Sequence, residues 1–218
     1  MPRAESEFRQ PISLDPSNAT ARQWYADYLG SLGRHREALE EIQKARQIDP
    51  LSMSVMTTVG ELHLFARQYD QAIDALKGVN RTDPGFLPAY CFLSDSYKAT
   101  GRYDQAVEAE MRCMELEGVA EATRKAFQRA FEAGGYQAAL RVRLSDWKRR
   151  ESREYISPFM EALLQASLGD HAAALTSLER AYDTGDGSLA LMKVFPELDP
   201  LRGEPRFKNL LERMNLGT

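Results

Sequence analysis

In HREALEEIQKARQIDP, residues 35–50, apolar side chains return at three- and four-residue spacing. Ala38, Ile42 and Ala45 fall on one helical face, polar residues fill the other, and Pro50 stops the run. ARQWYADYLGSLG (residues 21–33) and LPAYCFLSDSYKATG (residues 87–101) keep this spacing and end in Gly, which suits a helix C-terminus. The chain therefore reads as pairs of helices, and a 14-residue helix is about 21 Å long.

The pairs recur at a fixed interval. GRHREALEEIQKARQIDP (33–50), RQYDQAIDALKGVNRTDP (67–84) and GRYDQAVEAEMRCMELEG (101–118) begin 34 residues apart. Anchored on alanine, the series runs Ala4, Ala38, Ala72, Ala106, Ala139 and Ala174, at spacings of 34, 34, 34, 33 and 35. Three residues before the last five alanines stand His35, Tyr69, Tyr103, Tyr136 and His171; two further back stand Gly33, Arg67, Gly101, Gly134 and Gly169. Twelve residues before an alanine comes a small residue (Ala26, Gly60, Ser94, Ala162), which lets the two helices approach closely. One pair cannot bury both of its faces, so stacked neighbours must supply the core.

Small residue, aromatic, alanine and proline at this period resemble the tetratricopeptide repeat family. The resemblance implies an all-α, right-handed solenoid of about five and a half helix pairs with a C-terminal helical cap. The pairs are 19–50, 53–84, 87–118, 120–153 and 155–186, preceded by a half repeat at 1–16 and followed by a cap at 187–218. The fourth pair departs from the pattern: Phe127 takes the small place and Arg143 an apolar one, so irregular packing is expected there. The half repeat, with Ala4, Phe8 and Pro16, suggests a fragment of a longer protein, and Pro11 should kink or fray its helix. The tail is expected to form a short helix, a Pro-bounded turn and an amphipathic helix from about Pro205 to Met214. The YxSP entry (Tyr155–Pro158), GDHAAALTSLERAY and LDPLRGEPRFKNLLERM are similar to C-terminal regions of large bacterial signalling proteins. That likeness implies the docking or sensory part of a regulator.

Composition narrows the chemistry. Apolar residues make up 43% and charged residues 28%, with mean hydropathy −0.48, which points to a folded chain with a soluble surface. A net charge of −4 disfavours direct nucleic-acid binding. No apolar run is long enough to span a membrane, and the first residues lack the apolar core of a signal peptide. A cytoplasmic setting is expected, with Cys91 and Cys113 as free thiols. His35 and His171 occupy the turn-aromatic place and read as packing residues; His63 has no HExxH context. No nucleotide loop, metal set or catalytic constellation stands out, so no enzyme activity, cofactor or metal is expected. The basic run Arg141–Arg153 reads as a solvated helix end, with an anion-binding patch as the alternative.

The family resemblance implies that the first helices of successive pairs line a groove for a partner segment. Its places carry Gln23 and Asp27, then Thr57, Glu61, Leu64 and Phe65, then Cys91, Asp95 and Lys98, then Arg124, Gln128 and Phe131. Asp27, Glu61 and Asp95 would form an acidic stripe for a neutral to basic protein segment, with Phe65, Phe131 and Phe159 as apolar contacts and Leu64 beside Phe65 as a further anchor. The subset that clamps chaperone C-termini needs Lys and Asn where Gln23 and Asp27 stand, and Lys and Arg at Pro88 and Phe92, so that ligand is rejected. Self-association through the N-terminal half repeat is the alternative function.

Overall fold

A computed structural model describes residues 2–217. The described residues form helices and connecting turns only. They divide into two compact units, Met1–Cys113 and Met114–Thr218.

The first unit is built from α1 (Pro2–Leu14), α2 (Ala19–Ser31), α3 (His35–Ile48), α4 (Met53–Phe65), α5 (Tyr69–Thr82), α6 (Leu87–Ala99) and most of α7 (Tyr103–Leu116). Helix starts are fixed locally: the Asn18 side chain accepts from the Ala21 amide, and the Ser52 hydroxyl accepts from the Val55 amide. The hairpin turns after α2 and α6 place Gly33 and Gly101 at φ +77° and +71°; Arg67 takes the same place at φ +63°, a conformation that L side chains rarely adopt. The repeated alanines lie where the pairs close. Ala38, Ala72 and Ala106 are fully buried, as is the small-place residue Ala26. At Gly60 an added Cβ would lie 2.5 Å from Leu76 Cγ, so α4 and α5 touch backbone to side chain. Ser94, also buried, donates its hydroxyl to the Ala106 carbonyl at 3.0 Å. α4 packs between α2 and α6, so the first helices of successive pairs stand side by side.

Three expectations for this unit are corrected. Helix α1 runs through Pro11 to Leu14. Pro11 is exposed, so the carbonyl it leaves unbonded can turn to water. Ala4 is exposed; α1 docks on α2 through Phe8 stacked on Tyr28 and Glu5 accepting from Tyr25, and Glu5 also accepts from Arg34 at the start of α3. Cys91 and Cys113 are not free thiols but a disulfide joining α6 to α7. Twenty-two residues apart in sequence, they are brought to a Cα–Cα distance of 5.5 Å by the hairpin, within the range a disulfide spans.

The second unit holds α8 (Glu121–Arg150), α9 (Pro158–Ser167), α10 (His171–Asp183), two 3-10 turns (Gly187–Leu191 and Pro196–Leu201) and α11 (Pro205–Arg213). α8 is two helices merged across a break at Gly135, which sits at φ 70° and ψ −171°. Phe127 is fully buried, and Arg143, 3% exposed, pairs with Glu117 and lies over the Trp147 ring. Burying a guanidinium demands such a partner. α9 and α10 are tied by a buried network in which Gln165 donates to Glu161, Ser177 donates to Gln165, and Arg180 pairs with Glu161. Asp186 closes the YxSP turn. Burial alone would raise its carboxyl, but hydrogen bonds from Ser157 and the Phe159 and Ser188 amides hold it below the usual range. The expected short helix of the tail forms as the two 3-10 turns, followed by the amphipathic α11, with Phe207 and Leu210 buried.

Candidate functional site

Residues three and four apart share a helix face. On α2 this face carries Thr20, Gln23, Trp24 and Asp27; on α4 it carries Ser54, Thr57, Thr58 and Glu61. The two faces meet. Gln23 donates from Nε2 to Ser54 Oγ at 2.7 Å and to Thr58 Oγ1 at 3.0 Å. Its amide therefore crosslinks the scaffold rather than waiting for a ligand.

Asp27 and Glu61 are the unusual groups. Both are half-buried. Burial pushes the Asp27 carboxyl up to about 7, opposed by a hydrogen bond from Thr58. Burial, and then the neighbouring Asp27, push Glu61 up to about 8. Asp27 Oδ1 is enclosed and has no hydrogen-bond partner. Thr57 is 4% exposed, and its hydroxyl is likewise enclosed without a partner. The third acid of the expected stripe behaves differently: Asp95 is paired with Lys98 on its own helix at 2.7 Å. The acidic feature is thus a two-residue recess between α2 and α4 rather than a continuous stripe.

Leu64 and Phe65 correct the reading of the groove. They are 0% and 2% exposed, held in the core where α4 meets its neighbours, and offer no contact surface; Phe159 in the second unit is likewise fully buried, edge-on to Phe195. Cys91 is half-buried, and its sulfur is committed to Cys113. In the second unit, Arg124 is half-buried and 3.5 Å from Glu115, Gln128 donates to Glu132 one turn along α8, and Phe131 is half-buried. Sequence reasoning passed over Thr58, which bridges Gln23 and Asp27, and Trp24, which is 60% exposed. Trp24 was findable, since it stands three residues before Asp27. The bridging role of Thr58 depends on how α2 meets α4 and leaves no local signal. His63 sits against Gln68, with Nδ1 and Oε1 2.7 Å apart, and no metal-binding partner set surrounds it among the described residues. Three of the six basic residues in the run are engaged: Arg143 with Glu117, Arg149 and Arg150 with Asp146, and Arg150 also with Glu154.

Residues 87–118 match the model of the tetratricopeptide repeat family. The tetratricopeptide family is supported. A small glutamine-rich tetratricopeptide repeat-containing protein 2 from Mycosarcoma maydis is 32% identical over 88 residues, 40% of this chain and 25% of that protein. Protein bimA from Emericella nidulans is 26% identical over 106 residues, 49% of this chain and 13% of that protein. The chain thus spans at most about a quarter of these curated relatives. Among solved structures, YrrB, described as a tetratricopeptide protein with an unusual peptide-binding site, aligns with a TM-score of 0.50 at 19% identity, over 85% of this chain and 96% of YrrB. The fold is all-α and is shared with tetratricopeptide solenoids. No helix among the described residues is long and apolar enough to cross a membrane.

Proposed function

We propose that this chain is a non-catalytic interaction module whose α2–α4–α6 row receives an extended or helical protein segment. The carrying observation is that polar, half-buried residues recur along three adjacent first helices: Gln23 and Asp27, Glu61, then Asp95 and Lys98. A row fixed by internal hydrogen bonds is pre-organised, which lowers the ordering cost of binding. The neutral to basic preference rests on Asp27 and Glu61, because Asp95 is already neutralised by Lys98. Affinity from such charges is modest, since exposed pairs contribute only about 0.2–1 kcal/mol each.

The test is a photo-crosslinking residue placed at Thr20 or Ser54 on the row, and at Glu40 on the exposed side of α3 as control. A partner captured from Thr20 and Ser54 but not from Glu40 supports the row. Capture from Glu40 alone sinks it. Self-association is the second reading, favoured by α1, which leaves Leu14 79% exposed. Light scattering over a range of concentrations separates the two, because a constant monomer mass excludes self-association.

The likeness of the tail from Tyr155 onward to regulator C-termini supports a role as the docking part of a larger bacterial regulator in the cytoplasm. The Cys91–Cys113 disulfide stands against that setting, which would keep both thiols reduced. Alkylation of thiols in intact cells before lysis decides it: two modified cysteines support the cytoplasm, and an intact disulfide argues against it.

A further inference from the structure

We propose that the recess between α2 and α4 takes one cationic side chain, lysine or arginine, from the partner segment, with Asp27 and Glu61 as its acceptors and Trp24 at its rim. This rests on the α2–α4–α6 row being the partner face.

Enclosed carboxylates in folded proteins are paired or neutralised. Glu61 makes no hydrogen bond or ion pair with any described residue, and Asp27 has one enclosed oxygen unsatisfied. The groups around them are neutral: Gln23 and Thr58, whose hydrogen bonds already run between the two helices. Lys98 on α6 is engaged with Asp95.

A second, independent observation points to a donor from outside. Thr57 lies one turn before Glu61 on the same face of α4, is 4% exposed, and keeps an enclosed hydroxyl without a partner. Buried hydroxyls are seldom left so. A neutral acceptor one turn from Glu61 suits an ammonium, with three N–H donors, or a guanidinium, with five. Neither cation brings an acceptor that the recess would have to satisfy. Trp24 adds the other half of a cation receptor. Its indole is 60% exposed, three residues before Asp27, and a cation over an indole face is stabilised by the ring quadrupole. Burial disfavours the charge on both carboxyls, and a cation placed between them would favour their ionisation.

The test uses defined peptides rather than an unknown partner. Acetyl-Ala-Ala-Lys-Ala-Ala-amide and its arginine, norleucine and acetyl-lysine versions are titrated at low ionic strength, with Trp24 fluorescence read in a Trp147→Phe background. Either cationic peptide should bind about tenfold more tightly than the norleucine peptide, the scale of one charge-assisted contact. Asp27→Asn with Glu61→Gln should erase that preference, while Glu40→Gln with Asp74→Asn, both exposed, should leave it. Thermal unfolding checks that the isosteric variants fold. The inference is overturned if the norleucine peptide binds equally well, or if the preference survives in the Asn/Gln variant. A partner that crosslinks at Ser54 and carries no essential cation would overturn the recess while leaving the row intact. A preference for lysine over arginine, or the reverse, identifies which cation the recess was shaped for.

Discussion

Gly60 shows how a single missing side chain sets the helix spacing. A Cβ there would stand 2.5 Å and 2.7 Å from Leu76 Cγ and Cδ2. Gly60→Ala should therefore cost about 1–3 kcal/mol through overpacking. Gly78→Ala on α5 meets nothing closer than Arg81 Nη2 at 3.8 Å, and should gain up to about 1 kcal/mol of helix propensity. Urea midpoints moving in opposite directions would confirm the contact; two equal shifts would refute it. Asp27 and Glu61 make a second prediction at this scale. Their folded values, about 7 and about 8, lie above the unfolded carboxyl values near 4. Below roughly pH 4 both states hold the proton and these groups contribute nothing. As pH rises toward 8 the unfolded chain ionises freely while the folded one resists, so stability falls by at most about 1.4 kcal/mol per group and pH unit. The urea midpoint should drop between pH 5 and 8, and Asp27→Asn with Glu61→Gln should flatten the curve. Glu5 and Glu37 act in the opposite window: hydrogen bonds from Arg34 hold both low, and the stability they contribute is lost only as pH falls through the acid range.

At the scale of elements, the helices were legible and the bonds between them were not. Ala38, Ala72 and Ala106 announce their burial by recurring where a small residue must meet another helix. Ala72→Arg should accordingly unfold the protein at lower urea, by about 1–3 kcal/mol for overpacking with a buried charge in addition, while Glu40→Arg on an exposed face should leave the midpoint in place. The disulfide between α6 and α7 was invisible as a pattern, because two cysteines 22 residues apart form no motif. Closing a loop of that length contributes about 3 kcal/mol by restricting the unfolded chain. Replacing both cysteines by serine should lower stability by that order, and thiol titration of the native oxidised protein should find none reactive. The break in α8 falls at Gly135, beside Gly134, which holds the turn place that Gly33, Arg67 and Gly101 hold in the earlier pairs.

For the whole molecule, α1 and α4 mark the extremes. α1 packs chiefly on α2, with Glu5 also bonded to Arg34, and carries no fully buried residue in its described part, whereas α4 is covered by α2, α3, α5 and α6. Amides of α1 should exchange faster than those of α4; equal protection in a monomer would contradict this. What the sequence determined by itself was the repetition: where helices start and stop, which alanines and small residues face inward, and the all-α class. Those properties are local, or follow from one face of a helix having to be apolar at a fixed period. Tertiary structure decided the rest. It sent Leu64 and Phe65 into the core, joined Cys91 to Cys113, neutralised Asp95 within its own helix, and left Asp27 and Glu61 half-buried as neighbours. A period of 34 residues aligns Asp27, Glu61 and Asp95 equally, but the charge each one shows depends on which neighbours its helix meets, and those contacts are made across the stack rather than along the chain.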